Sequence, residues 1–126
     1  KKETDEQFDQ TLRWCVEHIE QVALCCGSHN EASCRLLTEL MQTAGIRPDD
    51  NRIHFAQLLG MSDHISYNLS HLGYNVAKYV PYGPVADVMP YLIRRAEENR
   101  AIAGQVGREL SLIKREIERR GAENDC

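Results

Sequence analysis

Apolar residues along the chain alternate between helical spacing and short continuous runs. Phe8, Leu12, Cys15 and Ile19 recur at helical intervals, and Gln21-Val22-Ala23-Leu24-Cys25-Cys26 then forms a largely apolar run ending at Gly27. This predicts a helix followed by a buried strand. Asn30 can cap a second helix whose buried stripe is Leu36, Leu37, Leu40 and Met41, with Gly45 closing it. After the turn Arg47-Pro48-Asp49-Asp50 the cycle repeats: Arg52 to Leu58 suits a strand, and Ser62 or Asp63 can cap a helix carrying Ile65, Leu69 and Leu72 before Gly73. Val76 to Val80 predicts a third strand stopped by Pro81, and the helix after Gly83-Pro84 is expected to bury Val85, Val88, Met89, Leu92 and Ala96.

Beyond Asn99, Gly104 and Gly107 are expected to interrupt the pattern before a last helix with Val106, Leu110, Ile113 and Ile117 on one side. The tail from Gly121 to Cys126 is polar, and fraying is expected there. The chain thus reads as one α/β domain portion over 1–126: a leading helix (1–20), three βα units (21–100), and a terminal helix with its tail (101–126). Strands alternating with helices predict a parallel sheet with right-handed crossovers, in which ligands gather where strand ends meet the following loops. Gly27-Ser28-His29-Asn30, Leu58-Leu59-Gly60-Met61 and Tyr79-Val80-Pro81-Tyr82-Gly83 fall at those three ends.

Composition narrows the function classes. With 126 residues, 42% of them hydrophobic and 27% charged, the chain has ordinary globular make-up but falls well short of the roughly 250 residues of a complete eight-fold barrel. The net charge is −4, and signs alternate through the second half, so no basic face for nucleic acid is expected. No apolar run approaches the ~20 residues needed to span a bilayer, and Lys-Lys-Glu-Thr-Asp-Glu is no signal peptide. Any membrane association is expected to be peripheral. The cysteines, Cys15, Cys25, Cys26, Cys34 and Cys126, are odd in number and lack the spacing of a disulfide framework or zinc site. Cys26 and His29 have a ligand-like gap, but without a matching second pair no metal is expected.

Candidate chemistry concentrates at the strand ends and on the helix after the third strand. Ser28, His29 and Asn30 sit at a helix start, where free N–H groups suit phosphates or the polar edge of a cofactor. Capping explains Asn30 equally well, but a cap does not require His29. Tyr91, Arg94 or Arg95, and Glu98 share one side of a helix. A guanidinium matches a carboxylate in two-point geometry, and an aromatic wall suits an apolar ring. Surface arginines and plain aromatic packing remain the alternatives for Arg94, Arg95, Tyr79 and Tyr91. No Gly-x-Ser-x-Gly elbow and no Gly-x-Gly-x-x-Gly loop occurs, so neither a serine nucleophile nor that dinucleotide loop is indicated.

Four motifs in order are Gly27-Ser28-His29-Asn30, Gln57-Leu58-Leu59-Gly60-Met61-Ser62-Asp63, Lys78-Tyr79-Val80-Pro81-Tyr82-Gly83-Pro84, and Tyr91-Leu92-Ile93-Arg94-Arg95 with Glu98-Asn99. Together, from about Phe8 to Arg120, they resemble the carboxyl-terminal half of the proline dehydrogenase family. The resemblance implies strands 6–8 of a distorted (β/α)8 TIM-type barrel that binds FAD and oxidises L-proline to Δ1-pyrroline-5-carboxylate, delivering electrons to a membrane quinone. It implies that Arg94 and Arg95 bind the proline carboxylate, Tyr79 and Tyr91 shape the pocket, and Leu58 adds apolar contact. Ser28, His29 and Asn30 would touch FAD, a flavin contact made where many bacterial members have Gln in place of Ala56 would be missing or taken over by Gln57, and Glu98 matches a family acid near the flavin and the paired arginines.

The resemblance also sets limits. The first five strands are absent, and with them the family's substrate lysine, catalytic aspartate and a flavin-binding arginine, so the chain alone is not expected to be a competent enzyme. A partial barrel leaves strand edges exposed, which calls for a second chain carrying the remaining barrel half or for self-association. Hydroxyproline dehydrogenase and a non-catalytic assembly module derived from the family stand as alternatives; tyrosine at position 79 favours proline over its hydroxylated analogue. The run from Gly107 to Ile113 resembles bacterial members more than animal ones. A bacterial protein would lie in the cytoplasm against the inner membrane, and a eukaryotic one in the mitochondrion.

Overall fold

The structure is a computed structural model that describes residues 2–101 and 103–124, with side chains described over 3–97 and 110–120. The chain divides into two compact units, Lys1–Val80 and Pro81–Cys126.

The first unit contains helix α1 (Lys2–Glu17), strand β1 (Leu24–Gly27), helix α2 (Glu31–Thr43), strand β2 (Ile53–Leu58), helix α3 (Asp63–His71) and strand β3 (Val76–Tyr79). Its three strands form one parallel sheet in the order β1-β2-β3. This is the parallel α/β architecture that the alternating pattern implied, consistent with part of a TIM-type barrel as the resemblance implied. Side chains alternate across the sheet. Cys26, Ile53 and Phe55 turn to one face and pack with Leu12 and Val16 of α1, Leu37 and Met41 of α2, and Ile65 and Leu69 of α3. Phe55 is completely buried and meets Tyr74 edge-on, with ring centroids 5.5 Å apart. Each such buried apolar side chain contributes about 1.5–3 kcal/mol.

Helix boundaries follow local chemistry. The Asn30 side chain accepts the Ala32 backbone N–H at 3.1 Å, as an N-cap should. Gly45, at φ +68°, closes α2: the Ile46 N–H reaches back to the Met41 carbonyl at 2.9 Å. At the N-terminal edge of the sheet, Arg52 binds Asp50 and Glu20, and the Asn75 side chain donates to the Asp50 and Ile53 carbonyls. Leu72, expected in the buried stripe of α3, is instead its C-cap and 64% exposed, because the helix ends a residue before it.

The second unit consists of helices α4 (Val85–Ala101) and α5 (Ala103–Asn124). Of the side chains expected to be buried on α4, Val88 is half-buried, whereas Val85, Met89, Leu92 and Ala96 are exposed. Helical spacing identifies the side of a helix that seeks cover, but burial needs a partner surface. Pro90 lies inside α4, where its missing N–H removes one backbone bond. Gly104 and Gly107 do not interrupt the last helix: α5 runs through both and continues through the expected tail to Asn124. Glycine weakens a helix interior by only about 1 kcal/mol each, less than a long helix can absorb.

Candidate functional site

The carboxyl ends of the three strands carry the sequence-predicted residues of the first unit. Leu58 and Tyr79 are register partners on adjacent strands and, by alternation, project from the face turned away from α1, α2 and α3. Tyr79 is 56% exposed and Leu58 half-buried. One step back on the same face, Gly27, Ala56 and Ala77 are in register across all three strands. This row of minimal side chains is a bare strip, and a Cβ built on Gly27 would meet nothing within 4 Å. A flat ring fits such a floor.

Ser28, His29 and Asn30 stand at the end of that strip, in the turn from β1 to α2. Their loop is held from several directions. The Ser28 hydroxyl accepts the Asn30 N–H at 3.1 Å, and the Ser28 carbonyl accepts the Gln57 side-chain amide at 3.2 Å and the Cys34 thiol at 3.8 Å. Gln57 is 2% exposed, on the helix-covered face, and its side-chain carbonyl accepts the Ser66 hydroxyl at 2.9 Å. Its amide therefore grips the loop from behind. Below the loop Cys26 and Cys34 are buried together, and the hydrogen bond that the Cys26 thiol gives to Cys34, reinforced by burial, pushes Cys26 up.

The loop after β2 is braced against both neighbours. His29 Nδ1 lies 2.9 Å from Ser62 Oγ, bridging residues 33 apart in sequence. Lys78 donates to the Met61 carbonyl at 2.8 Å and to Asp63 Oδ1 at 2.7 Å. Ser62 occupies the N-cap position of α3, as anticipated, yet its side chain makes no capping bond. Its backbone is left-handed, at φ 51° and ψ 41°, which costs a non-glycine residue roughly 1–2 kcal/mol. Gly60, at φ +76°, prepares the same turn.

On α4, Arg95 Cζ lies 5.4 Å from the centroid of the Tyr91 ring, one turn earlier. This cation–π pair holds one guanidinium on an aromatic face. Arg94, the adjacent residue, is exposed, while Arg95 and Tyr91 are half-buried. The two arginines thus differ in setting, as their separation of about 100° around the helix requires. The Glu98 side chain lies outside the described residues.

Sequence reasoning placed Ser62 and Lys78 within the quoted motifs but gave Ser62 no role beyond a cap and Lys78 none. Neither contact is a local pattern. The alternation of β3 places Lys78 on the helix side, beside Gln57 in register, and this was the available signal.

The fold and these braced strand ends agree with the comparisons. The family model described as proline dehydrogenase matches residues 1–108. The chain is 39% identical over 127 residues to Proline dehydrogenase 1, mitochondrial, of Drosophila melanogaster, covering 93% of this chain and 19% of that protein. It is 42% identical over 120 residues to the protein of that name from Homo sapiens, covering 93% and 20%. Hydroxyproline dehydrogenase of Bos taurus is 48% identical over 121 residues, covering 93% and 26%. The chain spans about a fifth to a quarter of the length of these relatives. A family match over most of its length, on a parallel α/β scaffold with its polar loops at the strand ends, makes this chain a member of the proline dehydrogenase family.

Proposed function

We propose that the chain supplies part of the active site of an FAD-dependent proline dehydrogenase, which oxidises L-proline to Δ1-pyrroline-5-carboxylate and passes electrons to a membrane quinone. The observation that carries this reading is the pairing of Leu58 with Tyr79 on one sheet face, beside the bare strip of Gly27, Ala56 and Ala77. Bound FAD supplies the hydride acceptor. The protein's task is then to hold the donor carbon in place, and no protein nucleophile is required.

Arg94 and Arg95 bind the proline carboxylate, the end that does not react, and Tyr79, Tyr91 and Leu58 enclose the ring. Ser28, His29 and Asn30 contact FAD. Gln57 serves the cofactor from behind, through its bond to the Ser28 carbonyl. Glu98 is assigned to the flavin end of the site by resemblance. The remaining barrel half, with the rest of the site, comes from further sequence or a second chain. Among the described residues no helix is long and apolar enough to cross a membrane. The matched relatives named as mitochondrial favour the mitochondrion as the location.

Bleaching of flavin absorbance on adding L-proline to the holoprotein tests the reading, with Arg94→Ala and Arg95→Ala each expected to raise KM. A holoprotein whose flavin stays oxidised in saturating L-proline, or a preparation that takes up no flavin, would sink it. The second reading, hydroxyproline dehydrogenase, is favoured by the match to proteins of that name. Tyr79 weighs against it, since a smaller residue there would leave room for the ring hydroxyl. Relative turnover of the two substrates decides.

A further inference from the structure

We propose that Ser62 is a positioning residue that fixes the tautomer of His29, keeping the proton on Nε2 so that the imidazole serves the cofactor as a hydrogen-bond donor. The inference rests on the assignment of His29 to FAD made above. Ser62 is 4% exposed, and among the described residues the hydrogen bond of its hydroxyl is to His29 Nδ1, at 2.9 Å. A buried hydroxyl must donate its hydrogen somewhere. If Nδ1 carried a proton, the hydroxyl could only accept there and its own hydrogen would be stranded. Donation from Ser62 Oγ to an unprotonated Nδ1 satisfies both groups, which leaves Nε2 with the ring proton.

The backbone at Ser62 supports the same reading. A serine at an N-cap ordinarily turns its oxygen onto the first amides of the helix, and here it makes no such bond. It sits instead in the left-handed region, at φ 51°, and spends its one side-chain bond on a residue 33 positions away. A strained residue that forgoes the local bond in favour of a distant one is held there by the site it serves. Lys78 fixes the flanking Met61 carbonyl and Asp63 carboxylate, so the loop has little freedom to relax away from His29. An Nε2–H suits the anionic phosphates and carbonyl oxygens of a flavin dinucleotide, whereas the other tautomer would present a lone pair to them.

The test uses holoprotein labelled with 15N-histidine, comparing the parent with Ser62→Gly and Ser62→Ala. Glycine tolerates the left-handed backbone and alanine does not, while both lack the hydroxyl. The expected result is an Nε2–H signature for His29 in the parent, a mixture of tautomers in both variants, and FAD binding weakened by about tenfold in both. Parent spectra showing Nδ1–H, or an unchanged tautomer in Ser62→Gly, overturn the proposal. Loss of FAD affinity in Ser62→Ala alone assigns the effect to the backbone and overturns it too. His29→Ala separates the two layers: unchanged FAD affinity in that variant refutes the cofactor role of His29, while the tautomer spectra still judge Ser62.

Discussion

Lys78 and Asp63 join the last strand of the sheet to the start of α3 through a 2.7 Å ion pair, and the same ammonium holds the Met61 carbonyl at 2.8 Å. The lysine is mostly buried and the aspartate about half exposed. Removing the cation takes the Lys78 bond from the Met61 carbonyl and loosens the loop that carries Ser62. Lys78→Met is expected to lower stability by about 1–2 kcal/mol, read as a reduced urea midpoint with unchanged slope. Asp63→Asn, which keeps a hydrogen-bond acceptor, should cost less.

The Gln57 side chain links the Ser28 carbonyl and the Ser66 hydroxyl inside the core. Gln57→Leu matches its size but leaves those groups with weaker partners, the Cys34 thiol for one and the Ser62 carbonyl for the other. The expected loss is about 1–3 kcal/mol, measured by chemical denaturation. Hydrogen exchange should speed up in the loop following β1, and a loss of stability without that local change would argue against the bracing role.

Arg52 donates to Asp50 through both its guanidinium and its backbone N–H, holding the carboxyl down at about 2 from an ordinary 3.8. A folded value below the unfolded one stabilises the native state wherever the unfolded group is ionised. The contribution is therefore whole above about pH 4 and fades as pH falls towards 2. Asp50→Asn should unfold at a lower temperature than the parent at neutral pH. The gap between the two melting curves should close by about pH 2, and a gap independent of pH would disprove the assignment.

The face of Tyr91 under Arg95 offers a test at the proposed substrate site. Tyr91→Phe keeps the ring and should leave KM for L-proline nearly unchanged, apart from any contribution of the hydroxyl. Tyr91→Leu removes the aromatic face and should raise KM by about two- to fivefold, the worth of one exposed cation–π pair. Steady-state kinetics of the holoprotein read both. Equal effects of the two substitutions would point to the phenol hydroxyl instead.

Strand and helix order was legible because each element carries its own periodicity. Ile53 and Phe55 alternate with His54 and Ala56, Asn30 caps where expected, and Gly45 ends α2 by accepting a left-handed backbone. The misreadings arise where the answer depends on something distant. Leu72 has the right spacing for the stripe of α3, but helix termination leaves it outside. Val85, Met89 and Leu92 mark the apolar side of α4 without showing what covers it. At the strand ends, Ser28, His29 and Asn30 could be identified as a polar cluster from adjacency alone. Their links to Gln57 and Ser62 could not, because contacts 29 and 33 residues apart are products of the parallel register.

The row formed by Gly27, Ala56 and Ala77 separates two demands that usually coincide at one position. A Cβ added at Gly27 would meet none of the described atoms within 4 Å. Such a variant should fold as well as its parent and yet crowd out a planar guest. Intolerance there would be a signature of occupancy.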